Sequence, residues 1–403
     1  MSQTDAGPQP GKLTGRISGH RGTVEIRYNS LIEGVDDLIE GSDTNEYIAP
    51  GFVDLQVNGF AGVDYNDPAA ESSAIAASIR TMFETGVTRF FPTIITGSED
   101  RMKGALRNMA EAKAAFERAG MVEGQAIEAF HVEGPHISPE NGPRGAHPLE
   151  HIRPPDLEEF KRWQEAAGGL IRLVTVSPEW DETPHYIAEI VRSGVVASIG
   201  HTKGTGDQIR AAVDAGATMS THLGNAAHPS LPKTSNYIWD QLAEDRLTAC
   251  FIVDGIHIPR TFVRAAMRAK GPERSILVTD AVMPAMCKPG AYKLGQVDVE
   301  LRPDGSVVMQ GGSRLAGSAL RMDKAVSNTV HFTGLPLSSV LAMATTNAAR
   351  VGRVSGRLRA LSPGERADFV RFTWDDAESR LRVLETIVGG RSAYQVRQAA
   401  REA

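Results

Sequence analysis

The sequence predicts an α/β fold: a (β/α)8 barrel of the TIM type with a small β domain formed by both chain ends. Three observations support this prediction. Eight short apolar runs alternate with stretches long enough for a helix, as expected of parallel strands joined by crossovers. Each run ends on polar or ionisable residues, which is typical of strands that open onto a pocket. Short β-like segments also lie before and after the alternating region, at the two ends of the chain.

The alternating elements follow one another from residue 48 to residue 280. The predicted strands cover residues 48–58, 88–93, 127–135, 171–179, 195–202, 218–225, 248–257 and 275–280. The predicted helices cover residues 70–85, 99–119, 155–167, 184–193, 206–215, 237–244 and 259–270. Several of these helices are followed by a glycine, as at Gly86, Gly194 and Gly216, and glycine is the usual residue just past a helix C-terminus.

A different pattern begins after the eighth strand. Residues 291–310 alternate around Asp304 and Gly305, which predicts a hairpin. Two helices follow at 319–332 and 338–349, and β character returns at 356–370 and 381–394. The segment 22–46 also has short strands. We therefore predict three parts: 1–47 and 356–403, which together form the small β domain, and 48–355, which forms the barrel.

Composition excludes several classes of protein. The chain has 403 residues, of which 41% are hydrophobic and 23% charged, and it has no run of about 18 apolar residues that would span a membrane. Its net charge of −6 includes no long run of one sign, so neither a nucleic-acid groove nor a membrane face is predicted. The polar N-terminus lacks the apolar core of a signal peptide, and two cysteines are too few for a disulfide framework. We expect a cytoplasmic protein that binds a small molecule.

Four strand ends carry the candidate chemistry. The third, fifth, sixth and eighth runs end with Glu133, His201, His222 and Asp280. A single histidine or glutamate is usually structural, but the C-terminal ends of barrel strands face a common pocket, so these side chains can converge. One carboxylate and two imidazoles suit Zn²⁺ or another divalent first-row ion. Three protein ligands leave a position for water, which is typical of a catalytic metal site.

Asp280 and His257 are the candidate catalytic residues. Asp280 can take a proton from the attacking water and deliver it to a leaving amine. The alternative for Asp280 is an N-cap of the following segment, a position that aspartate also favours. His257 ends the seventh run and can donate a hydrogen bond to a carbonyl oxygen on which negative charge develops.

A family resemblance follows from ordered motifs between about residues 47 and 394. The chain resembles the N-acetylglucosamine-6-phosphate deacetylases of the amidohydrolase superfamily through APGFVDLQVNG, HVEGPHIS, GHT, THLGNAA, VDGIH, LVTDA, LAGSAL, SPGERADFV and TIVGG. The resemblance implies a metal-dependent hydrolase that removes acetate from an N-acetyl amino sugar, with N-acetylglucosamine 6-phosphate as the expected substrate. It also implies the roles already considered for Asp280, as proton shuttle, and for His257, as the contact to the acyl carbonyl.

The resemblance further implies one metal ion per subunit. Many superfamily members bind a second metal through His-x-His on the first strand, where this chain has Gln56 and Asn58. Neutral amides are poor ligands beside imidazoles, so we expect one tightly held ion through Glu133, His201 and His222. Zinc is the expected ion, with iron, cobalt and manganese as alternatives.

Substrate contacts are implied at several further positions. The family's motifs map them onto Ala146, His147, Asn225, Ala226, Leu315, Ala316 and Gly317. The family usually has an arginine that reaches the phosphate of a neighbouring subunit, and we expect a homodimer. Here the loop reads HPSLPKTSN, with Lys233 at the corresponding spacing. Lysine can bind phosphate as a point charge but not as a fork, and the alternative is a solvated loop residue.

Two competing functions stay open. The first is hydrolysis of another N-acyl substrate on the same scaffold, such as an unphosphorylated N-acetyl sugar, an N-acyl amino acid or a cyclic amide. The second is a sensor or scaffold without enzymatic activity that keeps the barrel. We disfavour the second because loss of catalysis should first erode Asp280 or the metal ligands, and all four are present.

Overall fold

The fold is described from a computed structural model that covers residues 10–38, 44–295 and 297–396. Parts of the predicted small domain at 1–9, 39–43 and 397–403 lie outside the described residues. Residue 296 of the predicted hairpin lies outside them as well.

The chain begins with four strands of the small β domain. They are β1 Gly11–Arg16, β2 Thr23–Tyr28, β3 Ile32–Leu38 and β4 Glu46–Pro50.

Strands and helices then alternate through the barrel. They are β5 Phe52–Val57, β6 Gly59–Phe60, β7 Val63–Asp64, α1 Ser72–Phe83, β8 Val87–Ile95, α2 Glu99–Arg118, α3 Val122–Ala126, β9 Phe130–Glu133, α4 Leu157–Ala166, β10 Ile171–Val176, α5 Thr183–Arg192, β11 Val196–Ile199, α6 Gly206–Asp214, β12 Met219–Ser220, α7 Tyr237–Ala243, β13 Thr248–Phe251, α8 Arg260–Lys270 and β14 Ser275–Leu277.

The remaining elements are four strands that follow the last barrel strand, three helices and the C-terminal strands. They are β15 Gly290–Leu294, β16 Val297–Leu301, β17 Ser306–Met309, β18 Leu315–Ser318, α9 Met322–Thr333, α10 Leu337–Met343, α11 Thr346–Val351, β19 Phe369–Asp375, β20 Arg380–Val388 and β21 Arg391–Gln395.

Eight parallel strands form the barrel, which confirms the predicted fold class. Their order is β5, β8, β9, β10, β11, β12, β13 and β14, so each strand lies beside the next one along the barrel. The first and last strands approach each other beyond β14, where a parallel bridge joins Val57 to Ala281. The N–H of Asp280 donates to the carbonyl of Gln56 at the same seam (3.0 Å). This seam brings the end of the last strand beside the end of the first.

Both chain ends build the small β domain, as predicted. Its seven strands run in the order β21, β20, β19, β4, β1, β2, β3, with β4 of the N-terminal part antiparallel to β19 of the C-terminal part. Residues from both parts, including Ile26, Ile48, Phe369 and Ile387, are buried in one hydrophobic cluster. Neither part therefore encloses this core alone.

The predicted first strand, residues 48–58, is two strands in the structure. β4 belongs to the small domain and β5 to the barrel, and the chain crosses between them at Gly51. A Cβ atom at Gly51 would lie 2.1 Å from Cγ2 of Thr88, so the crossing needs a residue without a side chain. The apolar run continues through both strands, which is why the sequence pattern predicts a single element.

One further prediction needs correction, and the predicted hairpin is confirmed as β16 and β17 within a larger sheet. The sequence predicts β structure at residues 356–368, but these residues form turns, and the strand begins only at Phe369. The predicted hairpin at 291–310 is part of a four-stranded antiparallel sheet, β15 to β18. Its last strand contacts the barrel through a bridge between Ser318 and Ala281, which places the sheet at the C-terminal rim. Among the described helices, none combines the length and apolar character that crossing a membrane requires.

Candidate active site and metal centre

Glu133, His201 and His222 meet at the C-terminal rim of the barrel. Glu133 is the last residue of β9, and the two histidines follow β11 and β12 by two residues. All three are buried. Oε1 of Glu133 lies 2.8 Å from Nε2 of His222 and 3.2 Å from Nε2 of His201, and the two Nε2 atoms are 3.1 Å apart. The structure thus brings the three predicted ligands together.

These distances fit a metal ion. When metal–ligand bonds are about 2.0 Å in a tetrahedral site, neighbouring ligand atoms lie about 3.3 Å apart. His201 also has its ring orientation set, because Nδ1 lies 2.8 Å from the carbonyl of Pro143 and must donate to it. That bond fixes the ring with Nε2 directed towards Glu133 and His222. A cation can be bound where ligand atoms converge in this way.

The backbone at the site is strained. His201, His222 and Asp280 all have positive φ values, of 50°, 29° and 51°. Residues with a side chain adopt this left-handed region rarely, and each instance costs on the order of 1–3 kcal/mol. Three such residues at one rim indicate that the surrounding fold holds these side chains in place against their local preference.

The charges around Glu133 favour a bound cation. Burial alone would raise the pKa of Glu133, but hydrogen bonds with His201 and His222 outweigh it and hold the pKa well below its usual range. Burial lowers the pKa of His222, yet its bond to Glu133 reverses the shift, so that the pKa is raised. The carboxylate therefore stays ionised among groups that can exchange their shared protons for a metal ion.

Asp280 lies beside the ligands and is held by two amides. Nε2 of Gln56 donates to Oε1 of Glu133 (2.9 Å) and to Oδ1 of Asp280 (3.1 Å), and Nδ2 of Asn58 donates to the same Oδ1 (2.6 Å). Burial and then the charge of Glu133 raise the pKa of Asp280 to about 6. The sequence identifies these amides as poor ligands only, whereas the structure shows them as donors that orient the two carboxylates.

His257 is positioned by a residue that the sequence analysis does not single out. Nδ1 of His257 lies 2.6 Å from Oδ2 of Asp254, and Oδ1 of Asp254 accepts the N–H groups of Ile256 and His257 (2.8 and 2.9 Å). The side chain of His257 is buried and lines the cavity. Asp254 follows the valine that opens the VDGIH motif, so a carboxylate three residues before a candidate histidine is the signal that sequence offers.

One cavity of about 400 Å³ contains the ligands, Asp280 and His257. Most of the predicted substrate contacts line it, namely Ala146, His147, Asn225, Ala226, Leu315, Ala316 and Gly317. Lys233 does not line it: this residue is exposed on the loop before α7. Within one copy of the chain, the structure therefore assembles every predicted contact except Lys233.

His147 lies close to the predicted metal ligands. It has a ligand atom within 4.8 Å of those of Glu133 and His201, and its ring packs edge-on against the ring of His201 at 4.4 Å. Nδ1 is 2.7 Å from Oγ1 of Thr96. Burial, and then the neighbouring His201, lower the pKa of His147 to about 3, so the ring is neutral. A neutral imidazole here can contact either a ligand of the metal or the substrate.

Polar residues also form the floor beneath the metal site. Nε2 of His131 lies 2.7 Å from Oγ1 of Thr175, which lies 2.7 Å from Oγ1 of Thr221. The hydroxyl of Ser198 is 2.6 Å from Thr221. Burial lowers the pKa of His131 to about 4, so this chain of hydrogen bonds is neutral. It supports the ligand-bearing strands without adding charge below the metal site.

Comparisons with known proteins agree with this geometry. The model of the Amidohydrolase family matches residues 47–393. N-acetylglucosamine-6-phosphate deacetylase of Bacillus subtilis strain 168 is 33% identical over 352 residues, which cover 87% of this chain and 86% of the relative. N-acetylgalactosamine-6-phosphate deacetylase of Shewanella sp. strain ANA-3 is 33% identical over 367 residues, which cover 88% and 85%.

Solved structures of deacetylases are also similar to this chain. An alanine mutant of N-acetyl-D-glucosamine-6-phosphate deacetylase from Mycobacterium smegmatis, in complex with N-acetyl-D-glucosamine-6-phosphate, has a TM-score of 0.84 at 29% identity. The match covers 95% of this chain and 99% of that one. The Thermotoga maritima N-acetylglucosamine-6-phosphate deacetylase has a TM-score of 0.81 at 25% identity, with 95% and 100% covered.

Proposed function

The chain belongs to the amidohydrolase family, among the N-acetylglucosamine-6-phosphate deacetylases, and we propose that it hydrolyses N-acetylglucosamine 6-phosphate to glucosamine 6-phosphate and acetate. One observation carries the proposal. Asp280 lies beside the convergent Glu133, His201 and His222 in a cavity that the predicted sugar-binding residues also line. A metal site with an adjacent acid suits hydrolysis of an amide bond.

We assign Glu133, His201 and His222 as the residues that hold one divalent metal ion. The convergence of their ligand atoms within 3.2 Å supports this assignment, and so does the bond that sets the ring of His201. When bound, the ion supplies Lewis-acid chemistry, polarising the acyl carbonyl and lowering the pKa of water. One oxygen and two nitrogen ligands favour zinc, with iron, cobalt or manganese as alternatives.

Asp280 transfers a proton from the attacking water to the departing amine. Its carboxylate accepts a proton from the attacking water and then delivers it to the nitrogen of the departing amine, so the C–N bond breaks as the amine leaves. Burial and then the charge of Glu133 raise its pKa, which favours uptake of the proton from water. Gln56 and Asn58 hold the accepting oxygen in one position through bonds of 3.1 and 2.6 Å.

His257 contacts the carbonyl oxygen of the acetyl group. The bond between its Nδ1 and Oδ2 of Asp254 sets the orientation of the ring and leaves Nε2 as the nitrogen available to the substrate. A hydrogen-bond donor at this position stabilises the negative oxygen of the tetrahedral intermediate.

The substrate test is a comparison of sugars. Steady-state acetate release is measured with N-acetylglucosamine 6-phosphate, with the unphosphorylated sugar, and with the galactose epimer, N-acetylgalactosamine 6-phosphate. The proposal expects the highest kcat/KM for N-acetylglucosamine 6-phosphate. A higher value for the epimer would assign the activity of the Shewanella relative, and turnover only of N-acyl amino acids would reject an amino-sugar substrate.

A homodimer in the cytoplasm completes the proposal. The exposed position of Lys233 leaves it available to contact a second copy of the chain, which is what this part of the proposal requires. A doubly charged sugar phosphate does not cross a membrane readily, which supports an enzyme on the side where the substrate is made. Light scattering of the purified protein tests the first point, and a monomer would remove Lys233 from the substrate site.

A further inference from the structure

We infer that Arg101 forms an anion subsite in the substrate cavity of its own subunit, where it binds the phosphate of the sugar. This inference rests on the proposed function. It differs from the phosphate site suggested by Lys233, which would come from a second copy of the chain. Arg101 is the third residue of α2, and it lines the same cavity as Glu133 and Asp280.

Arg101 is the only lysine or arginine among the described residues that line this cavity. A phosphorylated substrate brings a negative group into this cavity, and desolvating that group is costly unless a cation meets it. Four of the five cavity histidines have other partners: His201 and His222 share Glu133, His257 is bonded to Asp254, and neutral His147 is bonded to Thr96. Of the two side chains that are left, His151 and Arg101, the guanidinium is the one that is always charged.

The guanidinium of Arg101 is partly buried and has no hydrogen bond or ion pair within the parts of the chain that the structure describes. Other buried arginines of this protein are paired: Arg89 bonds to Asp368 and Glu128, and Arg357 to Asp368. A guanidinium has five N–H donors, and leaving them unmatched at a partly buried position is unfavourable. An anionic ligand would supply the missing acceptors.

The acidic residues near Arg101 have other partners. Oδ2 of Asp64 accepts the backbone N–H of Gly295 (3.0 Å). Burial, the largest effect, raises the pKa of Asp64, although Arg101 lowers it in part. Glu99 pairs with Arg162, and Asp100 with Lys103. The donors of Arg101 are therefore not taken up by a neighbouring carboxylate.

The guanidinium of Arg101 lies close to the turn between β15 and β16. Nη2 lies 2.9 Å from where a Cβ atom of Gly295 would stand, so a larger residue at Gly295 would displace the guanidinium. A planar guanidinium can bind two phosphate oxygens at once, whereas a lysine binds as a point charge.

Kinetics of the metal-loaded full-length enzyme test the inference. Arg101→Ala should raise KM for N-acetylglucosamine 6-phosphate by about 10-fold to 100-fold, the usual loss for a charged hydrogen-bonded contact, with a smaller change in kcat. The ratio of kcat/KM between the phosphorylated and unphosphorylated sugars should fall. Arg101→Lys should restore part of this preference for the phosphorylated sugar. Arg107→Ala is the matched control, because Arg107 is exposed on the same helix and carries the same charge.

Other results would contradict the inference or the proposed function. If Arg101→Ala lowers kcat/KM for both sugars alike, or for neither, the inference is wrong. A selective loss in Lys233→Ala without one in Arg101→Ala would assign phosphate binding to the other loop. If the wild type releases acetate from neither sugar, the proposed function fails on its own. Calorimetric binding of glucose 6-phosphate to wild type and Arg101→Ala then still decides whether Arg101 binds phosphate.

Discussion

The burial of Asp54 predicts how the stability of the protein depends on pH. This fully buried residue of β5 accepts the N–H groups of Gln56 and Thr279 (both 3.2 Å) and lies 2.6 Å from the hydroxyl of Thr279. Burial is the largest influence and raises its pKa from 3.8 to about 7, although these hydrogen bonds lower it in part. The residue thus joins the first strand to the segment that carries Asp280, mostly as a neutral acid below pH 7.

The sign of its effect on stability follows from the raised pKa. The native state holds the proton more tightly than the unfolded chain, so the stabilisation from Asp54 is complete below the unfolded pKa and is lost as the pH rises through about 7. An asparagine at this position would be a neutral isostere without this loss. Between about pH 5 and about pH 8, the variant Asp54→Asn should therefore gain about 2.5 kcal/mol relative to the wild type.

The assay is thermal unfolding of both proteins at matched metal content and scan rate. A chain of 403 residues has an unfolding entropy of about 0.85 kcal/mol per degree, so the gain corresponds to about 3 °C. The difference in Tm between Asp54→Asn and wild type should grow by that amount across the pH range. Asp100→Asn is the control, since its side chain is 97% exposed. A difference that stays constant from about pH 5 to about pH 8 would refute the reasoning.

Three further predictions concern the site and the domain junction. Asp280→Asn should keep the metal and lose about 10²-fold to 10⁴-fold in kcat, and near-normal turnover would exclude proton transfer by Asp280. Elemental analysis should give about one equivalent of divalent metal in the wild type and none in His201→Ala, whereas two equivalents would contradict a single-metal site. Asp368→Ala should destabilise the protein by about 3–5 kcal/mol, because buried Arg357 loses its carboxylate and buried Arg89 keeps only Glu128; an unchanged denaturation midpoint would contradict this.

The convergence of the three proposed metal ligands could be predicted because topology alone brings these side chains together. In a barrel of parallel strands, every C-terminal strand end faces one rim, so Glu133, His201 and His222 needed only to be placed at strand ends. The alternation of strands and helices was enough for that. The small domain followed from β-like segments at both chain ends, whose apolar residues have no other partner.

Other features depend on geometry that sequence patterns do not record. The sequence pattern does not show that one strand ends and another begins at Gly51, because apolar residues continue from β4 of the small domain into β5 of the barrel. The donor roles of Gln56 and Asn58 require the distances between side chains on strands that are far apart in sequence. The exposure of Lys233 depends on the direction of its loop, and loop length does not determine direction.

The two amides of the first barrel strand bear on the proposal of a single metal ion. Where relatives with two metals place imidazoles, Gln56 and Asn58 direct N–H groups at the oxygen of Asp280. An N–H group stabilises a carboxylate as a nearby cation would, but more weakly. Burial and the charge of Glu133 raise the pKa of Asp280, so the two amides hold in place a carboxylate that takes up a proton readily. Such a group suits the proposed transfer of a proton from water to the amine.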